Sequence, residues 1–464
     1  MFLDAKKIHF VGLGGIGTSA LAKFVLSKGK TITGSDAQMS EMTAQFLRRG
    51  VTVHEGHDER HVPYDTEFLI YSPAVPESNP ERLKARSLGI PECSYSEALG
   101  ELSKQYSTIV VTGTHGKSTT TAMLGLMLEA GGYDPTVILG SLVPTFPEGN
   151  IRIGKGRFLV VEGCEHQANM LKLHPEMIVL TSIEEDHLDF YKNLENIKKT
   201  FQTFVDSLTA KGLTIVNEDD PVSRQLTISN RVSYGVSGSA HYVFSDRETE
   251  SGLQHAMISR QVPAETLGRL TLSVPGAFNV SNAMAAIAAA MELGIPFETC
   301  ARVLKNYRGI WRRFERVGTW QGQEVISDYG HHPTAIRATV QAAREFFPGK
   351  KIVLCFEPHQ HSRTEALFDD FVDALQSADA TIVSEIYRVE GRTETQEVSS
   401  RDLVEKILES VPDKRVLYAK DIFQAQEMLT HVCAEFDECI VVIQGAGDID
   451  ELARALINLS VDQP

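Results

Sequence analysis

The chain has 464 residues, with 45 Lys plus Arg against 61 Asp plus Glu and a formal net charge of −16. That length suggests about two to four domains, and the acidic balance removes the broad basic field that a general binder of nucleic acid or acidic membrane needs. No apolar run approaches the ~20 residues of a membrane helix, the first residues enter a strand rather than a signal peptide, and the six cysteines are irregularly spaced with no CxxC pair. Neither a disulfide framework nor a zinc site is indicated, and a cytoplasmic protein with reduced thiols, binding neither nucleic acid nor membrane, is expected.

Residues 7–11 read as a strand that runs into Gly12-Leu-Gly-Gly-Ile-Gly17. A helix over 19–27 and a strand over 31–36, ending in Asp36, follow. By pattern this is a dinucleotide-binding turn with Asp36 in the ribose-binding place. The glycines also serve close packing, and the nucleotide need not be NAD. A strand over 68–75 brings Ser72-Pro-Ala to its C-terminal end, where ligands sit in such folds.

The strand over 109–112 leads into Gly113-Thr-His-Gly-Lys-Ser118 and then a helical pattern. Loop amides and a helix N-terminus converge there on a point that favours phosphate. Lys117 adds a positive charge, and Ser118 stands where P-loops present their Mg²⁺ hydroxyl. The loop is a shortened one, since the full spacing requires a glycine at Val111. A strand over 158–162 delivers Glu162 and Glu165, and one over 177–183 is followed by Glu184-Glu-Asp-His-Leu-Asp189. In a parallel sheet these strand ends share one edge, which then holds a lysine, a hydroxyl, carboxylates and His187. Such a set suits Mg²⁺ bound by one or two protein groups plus ATP phosphates. Asp186 and Asp189 read equally well as N-terminal charge for a helix over 194–208. Residues 213–217 form a further strand, and 230–275 alternate weakly, as antiparallel strands do. Asn279 and Asn282 share a face at the start of an Ala-rich helix, where capping is the competing reading.

After Arg312-Arg-Phe-Glu315, strands over 323–327, 351–356, 380–385, 415–418 and 439–443 alternate with helices over 333–346, 365–375, 401–410 and 424–433. This is a second doubly wound domain. Its strand ends carry Asp328-Tyr-Gly-His-His-Pro333, Glu357-Pro-His-Gln-His-Ser-Arg363 and Gln444-Gly-Ala-Gly-Asp448. The paired histidines invite a metal reading, but neither cluster supplies a recognised zinc spacing.

Six motifs, Gly113-Thr-His-Gly-Lys-Ser-Thr-Thr120, Glu184-x-Asp-His187, Asn279-x-x-Asn282-Ala-x-Ala, Arg312-Arg-Phe314, Asp328-Tyr-Gly-His-His-Pro-Thr334 and Gln444-Gly-Ala-Gly447, occur in this order along the chain. Together they resemble the Mur ligases over essentially its whole length. The resemblance implies an α/β protein of three domains. These are a Rossmann-like UDP-sugar domain over 1–106, a P-loop-type ATP-binding domain over 107–314, and a Rossmann-like domain over 315–464 that closes over the amino acid. It implies an ATP-dependent ligase of peptidoglycan precursor synthesis that adds L-alanine to UDP-N-acetylmuramate through an acyl phosphate, with Mg²⁺, as a monomer or homodimer. A different amino acid, a tripeptide, or a nucleotide-binding relative without turnover are the alternatives. A dehydrogenase reading rests on Gly12 to Gly17 alone and ignores the phosphate loop.

The same match places Gly14, Gly15 and Ile16 by the pyrophosphate, and Ser35 and Asp36 by the uridine, with Ser72 near the sugar nucleotide. Gly113, Thr114, His115, Gly116, Lys117, Ser118 and Thr119 hold the ATP phosphates, Asn282 and Arg313 contact the nucleotide, and Asp328 helps fix its ribose or the closed domain. Ser118, Glu165 and His187 are the implied Mg²⁺ ligands. Tyr329, His332 and Arg363 line the amino-acid site, where a guanidinium offers a carboxylate a forked pair of donors. Lys117, Glu165, His187, His332 and Arg363 form the implied catalytic set. Four positions depart from the family pattern: Gln167 replaces an aspartate, Ser182 an asparagine, Gln360 a frequent arginine, and Tyr387-Arg388-Val389 a Tyr-Pro-Ala stretch.

Overall fold

The computed structural model describes residues 2–388 and 398–461; Val389 of the Tyr387-Arg-Val stretch lies outside them. The chain divides into two compact units. The first comprises Met1–Ile183, Ile197–His241 and Ala285–Cys300, the second Glu184–Asn196, Tyr242–Met284 and Ala301–Pro464.

The first unit holds two parallel arrangements. Strands β1 (Lys7–Val11), β2 (Thr31–Asp36), β3 (Thr52–Glu55), β4 (Phe68–Tyr71) and β5 (Glu92–Ser94) lie in the order β3-β2-β1-β4-β5. Continuous apolar runs such as Phe10-Val11 and Leu69-Ile70 are fully buried, as a sheet covered on both faces requires. β4 stops at Tyr71, short of the expected 75, because Pro73 has no N–H to continue a ladder.

Seven further strands of this unit are β6 (Ser107–Thr112), β7 (Thr136–Ile138), β8 (Ile151–Arg152), β9 (Phe158–Gly163), β10 (Met177–Leu180), β11 (Leu213–Asn217) and β12 (Arg231–Gly235). They run in the order β12-β11-β10-β6-β9-β7-β8, with only the short β7–β8 pair antiparallel. β6 is central, between β10 and β9, so its C-terminal end is flanked by the ends of both. Helix Lys117–Ala130 packs back on this sheet through buried Met123, Leu124, Met127 and Leu128. Buried Lys23 ties the two parts of the unit together. Its ammonium donates to the Glu148 carbonyl (2.8 Å) and to Asn150 Oδ1 (3.0 Å), and burial pushes its pKa down to about 8.

The second unit contains the antiparallel β13 (Tyr242–Glu250), β14 (Leu253–Gln261) and β15 (Ala264–Leu272). It also contains a sheet of β16 (Glu315–Trp320), β17 (Gln323–Asp328), β18 (Lys351–Glu357), β19 (Ala380–Ser384), β20 (Arg415–Ala419) and β21 (Cys439–Gly445). Their order is β16-β17-β21-β18-β19-β20, parallel except at the β16 edge. β21 is buried along its whole length, and apolar clusters fill both faces, around Phe356 and Phe371 on one and Val353 and Leu429 on the other. The helix expected over 365–375 is two helices, His361–Ala366 and Phe368–Leu375. Leu367 separates them with φ −116° and ψ 27°, outside helical geometry.

Candidate active site

In the first unit the phosphate loop is built on the end of β6. Gly113 has φ +135°, and a Cβ there would lie 2.1 Å from Thr181 Oγ1, so the position admits only glycine. Gly116, left-handed at φ 82°, turns the chain into helix Lys117–Ala130. The neighbouring strand end then holds the loop. The Thr114 amide donates to the Ser182 carbonyl (2.7 Å), the His115 amide lies 3.4 Å from Ser182 Oγ, and Thr181 Oγ1 donates to the His115 carbonyl (2.6 Å). Ser182, a departure from the family pattern, is thus part of the loop's scaffold.

Lys117 Nζ donates to the carbonyls of Gly113 (2.6 Å) and Thr114 (3.0 Å) and pairs with Glu165 at 2.9 Å. Burial alone lowers its pKa, but the Glu165 and Glu162 carboxylates outweigh burial and raise it, so the ammonium keeps its charge. Ser118 Oγ lies 3.0 Å from both oxygens of Glu162, which also accepts from the Gly140 amide at 2.7 Å. Sequence reasoning placed Glu162 on this edge but left it out of the implied Mg²⁺ ligands, Ser118, Glu165 and His187; the β6–β9 ladder sets Glu162 in register with Val111. A hydroxyl and two carboxylates beside a helix N-terminus are hard oxygen donors of the kind Mg²⁺ takes, and Ser118, Glu162 and Glu165 fit that ion.

The glycine turn after β1 is held from β2. The amides of Gly12 and Leu13 both donate to the Ser35 carbonyl at 2.9 Å, and the Gly14 amide donates to Asp36 Oδ2 at 2.7 Å. Ser35 is 0% exposed and its hydroxyl donates to Glu81, 2.7 and 2.8 Å from the two oxygens, so it supports the turn from beneath. One Asp36 oxygen is spent on the turn itself. Gly15 precedes helix Ile16–Ser27 as its N-cap, and Ser72 closes the far side, its amide on the Val11 carbonyl at 2.9 Å.

In the second unit Asp328 is a buried hub. It accepts from the amides of Phe314 and Gly330, both at 2.8 Å, and from Gln444 Nε2 at 3.2 Å. Burial raises its pKa against the pull of Arg313 and these amides. It therefore joins the Arg312-Arg-Phe314 segment to the Gln444 strand end. Arg312, not Arg313, is the buried member of that pair, and it donates to the Gly447 carbonyl at 3.0 Å. Arg313 lies over the Tyr329 ring, 4.9 Å from its centroid. Asn282 Nδ2 donates to Asn279 Oδ1 at 3.2 Å, and Asn279 to the Pro275 carbonyl at 2.7 Å.

Arg363 was expected to offer its fork to a substrate carboxylate. Instead its Nε and one terminal nitrogen donate to Asp186 Oδ1 at 2.9 and 2.8 Å, and the other to the His359 carbonyl at 3.1 Å. Burial works against the Asp186 charge, but the guanidinium beside it holds the carboxyl well below the usual range. His187, in a left-handed conformation, donates its amide to the same Asp186 oxygen at 2.7 Å.

The two adjacent histidines differ sharply. His332 accepts from the Thr334 amide at Nδ1 (3.3 Å) and donates from Nε2 to the Glu185 carbonyl (3.1 Å), so both ring nitrogens are engaged. His331 donates from Nδ1 to the Tyr329 carbonyl at 3.0 Å, which places the lone pair on Nε2. Burial and the nearby Arg363 charge keep its pKa well below the usual histidine value. His331 is thus a neutral imidazole with its lone pair on Nε2, whereas both ring nitrogens of His332 are engaged. Tyr387 stacks on His359 at 5.5 Å, and Gln360 starts helix His361–Ala366 with its amide on the Tyr387 carbonyl at 3.1 Å.

Three family models match consecutive stretches: the Mur ligase family catalytic domain at residues 7–107, the Mur ligase middle domain at 111–290, and the Mur ligase glutamate ligase domain at 312–447. The chain belongs to the Mur ligase family. Among Mur ligases it is similar to the UDP-N-acetylmuramate–L-alanine ligase of Desulforamulus reducens, 38% identical over 462 residues and covering 98% of this chain and 97% of the relative. The enzyme of the same name from Sulfurihydrogenibium sp. is 37% identical, with 97% of each chain covered. The crystal structure of the UDP-N-acetylmuramate-alanine ligase of Thermotoga maritima superposes with a TM-score of 0.83 at 29% identity, over 98% of this chain and 99% of that one. A murein peptide ligase from Psychrobacter arcticus, 21% identical with a TM-score of 0.72, shares the fold.

Proposed function

We propose that this Mur ligase joins L-alanine to the lactyl carboxylate of UDP-N-acetylmuramate, converting ATP to ADP and phosphate. The observation that carries the reading is the phosphate loop, with Lys117 and Ser118 set against Glu165 and Glu162 on the edge where ATP phosphates are received. The similar proteins of that name, aligned over nearly the full chain, support the choice of substrates.

The reaction has two parts. The lactyl carboxylate attacks the γ-phosphorus, giving an acyl phosphate and ADP. The amine of the amino acid then attacks the acyl carbon and phosphate leaves. Two anions meet in the first part, so positive charge and amide dipoles must be in place beforehand. Lys117 and the loop amides supply them to the β- and γ-phosphates. Ser118, Glu162 and Glu165 would hold Mg²⁺, whose chemistry is neutralisation of the phosphate oxygens. In the second part the attacking ammonium must lose a proton, and His331 Nε2 takes it. Asp186 fixes Arg363 beside this histidine, so the arginine acts with a set orientation. ATP and the nucleotide sugar are solutes of the cytoplasm, the compartment we assign to the enzyme.

The test labels both oxygens of the lactyl carboxylate with ¹⁸O. An acyl phosphate transfers one label to the released phosphate, and the amide keeps the other. Unlabelled phosphate would exclude the intermediate.

A further inference from the structure

Glu81 is a buried acid that the proposed chemistry does not use. It is 0% exposed, in the first turn of helix Pro80–Ser87, with its carboxylate facing β1 and β2. Oε2 lies 2.7 Å from His9 Nε2, Oε1 lies 2.8 Å from His57 Nδ1, and Ser35 Oγ donates at 2.7 Å. His61 Nδ1 is 3.8 Å away, so three imidazoles approach one carboxylate, and a fourth, His54, stacks on the His61 ring at 4.2 Å. His9 is itself oriented, with Nδ1 2.8 Å from Thr33 Oγ1. Burial opposes the Glu81 charge, but the histidine and serine donors outweigh it and hold the pKa below the usual value.

A buried carboxylate is costly, and an apolar side chain of similar volume often stabilises a core better. What Glu81 adds is geometry. The residue it grips through Oγ is Ser35, whose carbonyl receives the amides of Gly12 and Leu13. Asp36, the next residue, receives the Gly14 amide. One carboxylate thus fixes the strand end from which the whole glycine turn hangs, and the same carboxylate fixes the half-buried His57 after β3.

We propose that Glu81 is a positioning residue for nucleotide-sugar binding, which sets the glycine turn and His57 in the conformation that receives the uridine diphosphate. The inference rests on the reading that residues 12–17 seat the diphosphate of the UDP-sugar.

The test is calorimetric binding of UDP, UDP-N-acetylmuramate and ATP to the full chain, with steady-state kinetics alongside. Glu81→Gln keeps the volume but sets an amide N–H₂ against the histidine donors. Ser35→Ala removes only the link to the turn, at a fully buried position, and serves if the glutamine variant does not fold. Either variant is expected to bind UDP and UDP-N-acetylmuramate at least tenfold more weakly and to raise KM for the sugar by the same factor. ATP affinity and kcat at saturating sugar stay within twofold. Wild-type affinity for UDP in both variants overturns the proposal, as does an equal loss of UDP and ATP binding, which marks a general structural defect. Failure of the wild-type chain to bind either uridine compound overturns the reading of the turn and the inference with it.

Discussion

Lys117 and His331 carry the two halves of the account at the level of single residues. Lys117→Ala removes the charge that meets the transferring phosphate, and its kcat is expected to fall about 10²–10³-fold, the size seen when one preorganised electrostatic donor is lost. Phosphate release measured on a folded variant checks this. The paired histidines give a sharper contrast. His331→Asn lowers kcat about 10²–10⁴-fold, as loss of a general base does, while His332→Ala acts mainly through the lost cap on helix Pro333–Phe346 and the lost Glu185 contact. The His331 pKa lies well below the ordinary 6.5. The base is therefore unprotonated throughout the neutral range, and the acid limb of the kcat profile that it controls falls below pH 6.5. An acid limb near pH 7 that disappears in His331→Asn would contradict the assignment.

Among the secondary elements, the β6 strand, the loop and helix Lys117–Ala130 were legible in sequence, because a β-branched run, two glycines and a lysine at a helix start admit few other structures. The doubly wound sheets were legible for the same reason, as buried parallel strands are continuous apolar runs. Pairings across long separations were not legible. Asp186 and Arg363 are 177 positions apart and read separately as a helix charge and a substrate ligand. The family resemblance set Ser35 by the uridine, and nothing local shows that its side chain faces inward to Glu81. The break at Leu367 was hidden too, since apolar periodicity continues across it. Gly113→Ala tests the loop as an element. The positive φ and the 2.1 Å approach to Thr181 Oγ1 require the loop to move, so ATP affinity is expected to fall at least tenfold while UDP binding stays within twofold, both read by calorimetry.

Across the whole molecule, buried carboxyls of opposite kinds shape stability against pH. Glu81 and Asp186 have folded pKa values below their ordinary ones. Their contribution is present at neutral pH and is lost as pH falls through those folded values, which predicts acid unfolding below about pH 4. Glu357 is the reverse case. Burial, then the neighbouring Asp448, pushes its pKa up to about 9. Its folded state favours the protonated acid, so its contribution is greatest below the ordinary value of 4.5 and declines as pH rises toward 9. Glu357→Gln imitates the protonated form and is expected to raise stability at pH 8 by about 1–3 kcal/mol, with little change at pH 4; denaturant unfolding at both pH values checks it. Among the described residues no helix is long and apolar enough to cross a membrane. The central claim is the ligase activity and its acceptor. The most direct measurement incubates the chain with ATP, Mg²⁺ and UDP-N-acetylmuramate, offers each amino acid in turn, and reads released phosphate and product mass together. The account predicts stoichiometric phosphate and the UDP-N-acetylmuramoyl-alanine mass with L-alanine. A product only with another amino acid or a tripeptide would contradict the acceptor, and no product with any of them would contradict the ligase reading itself.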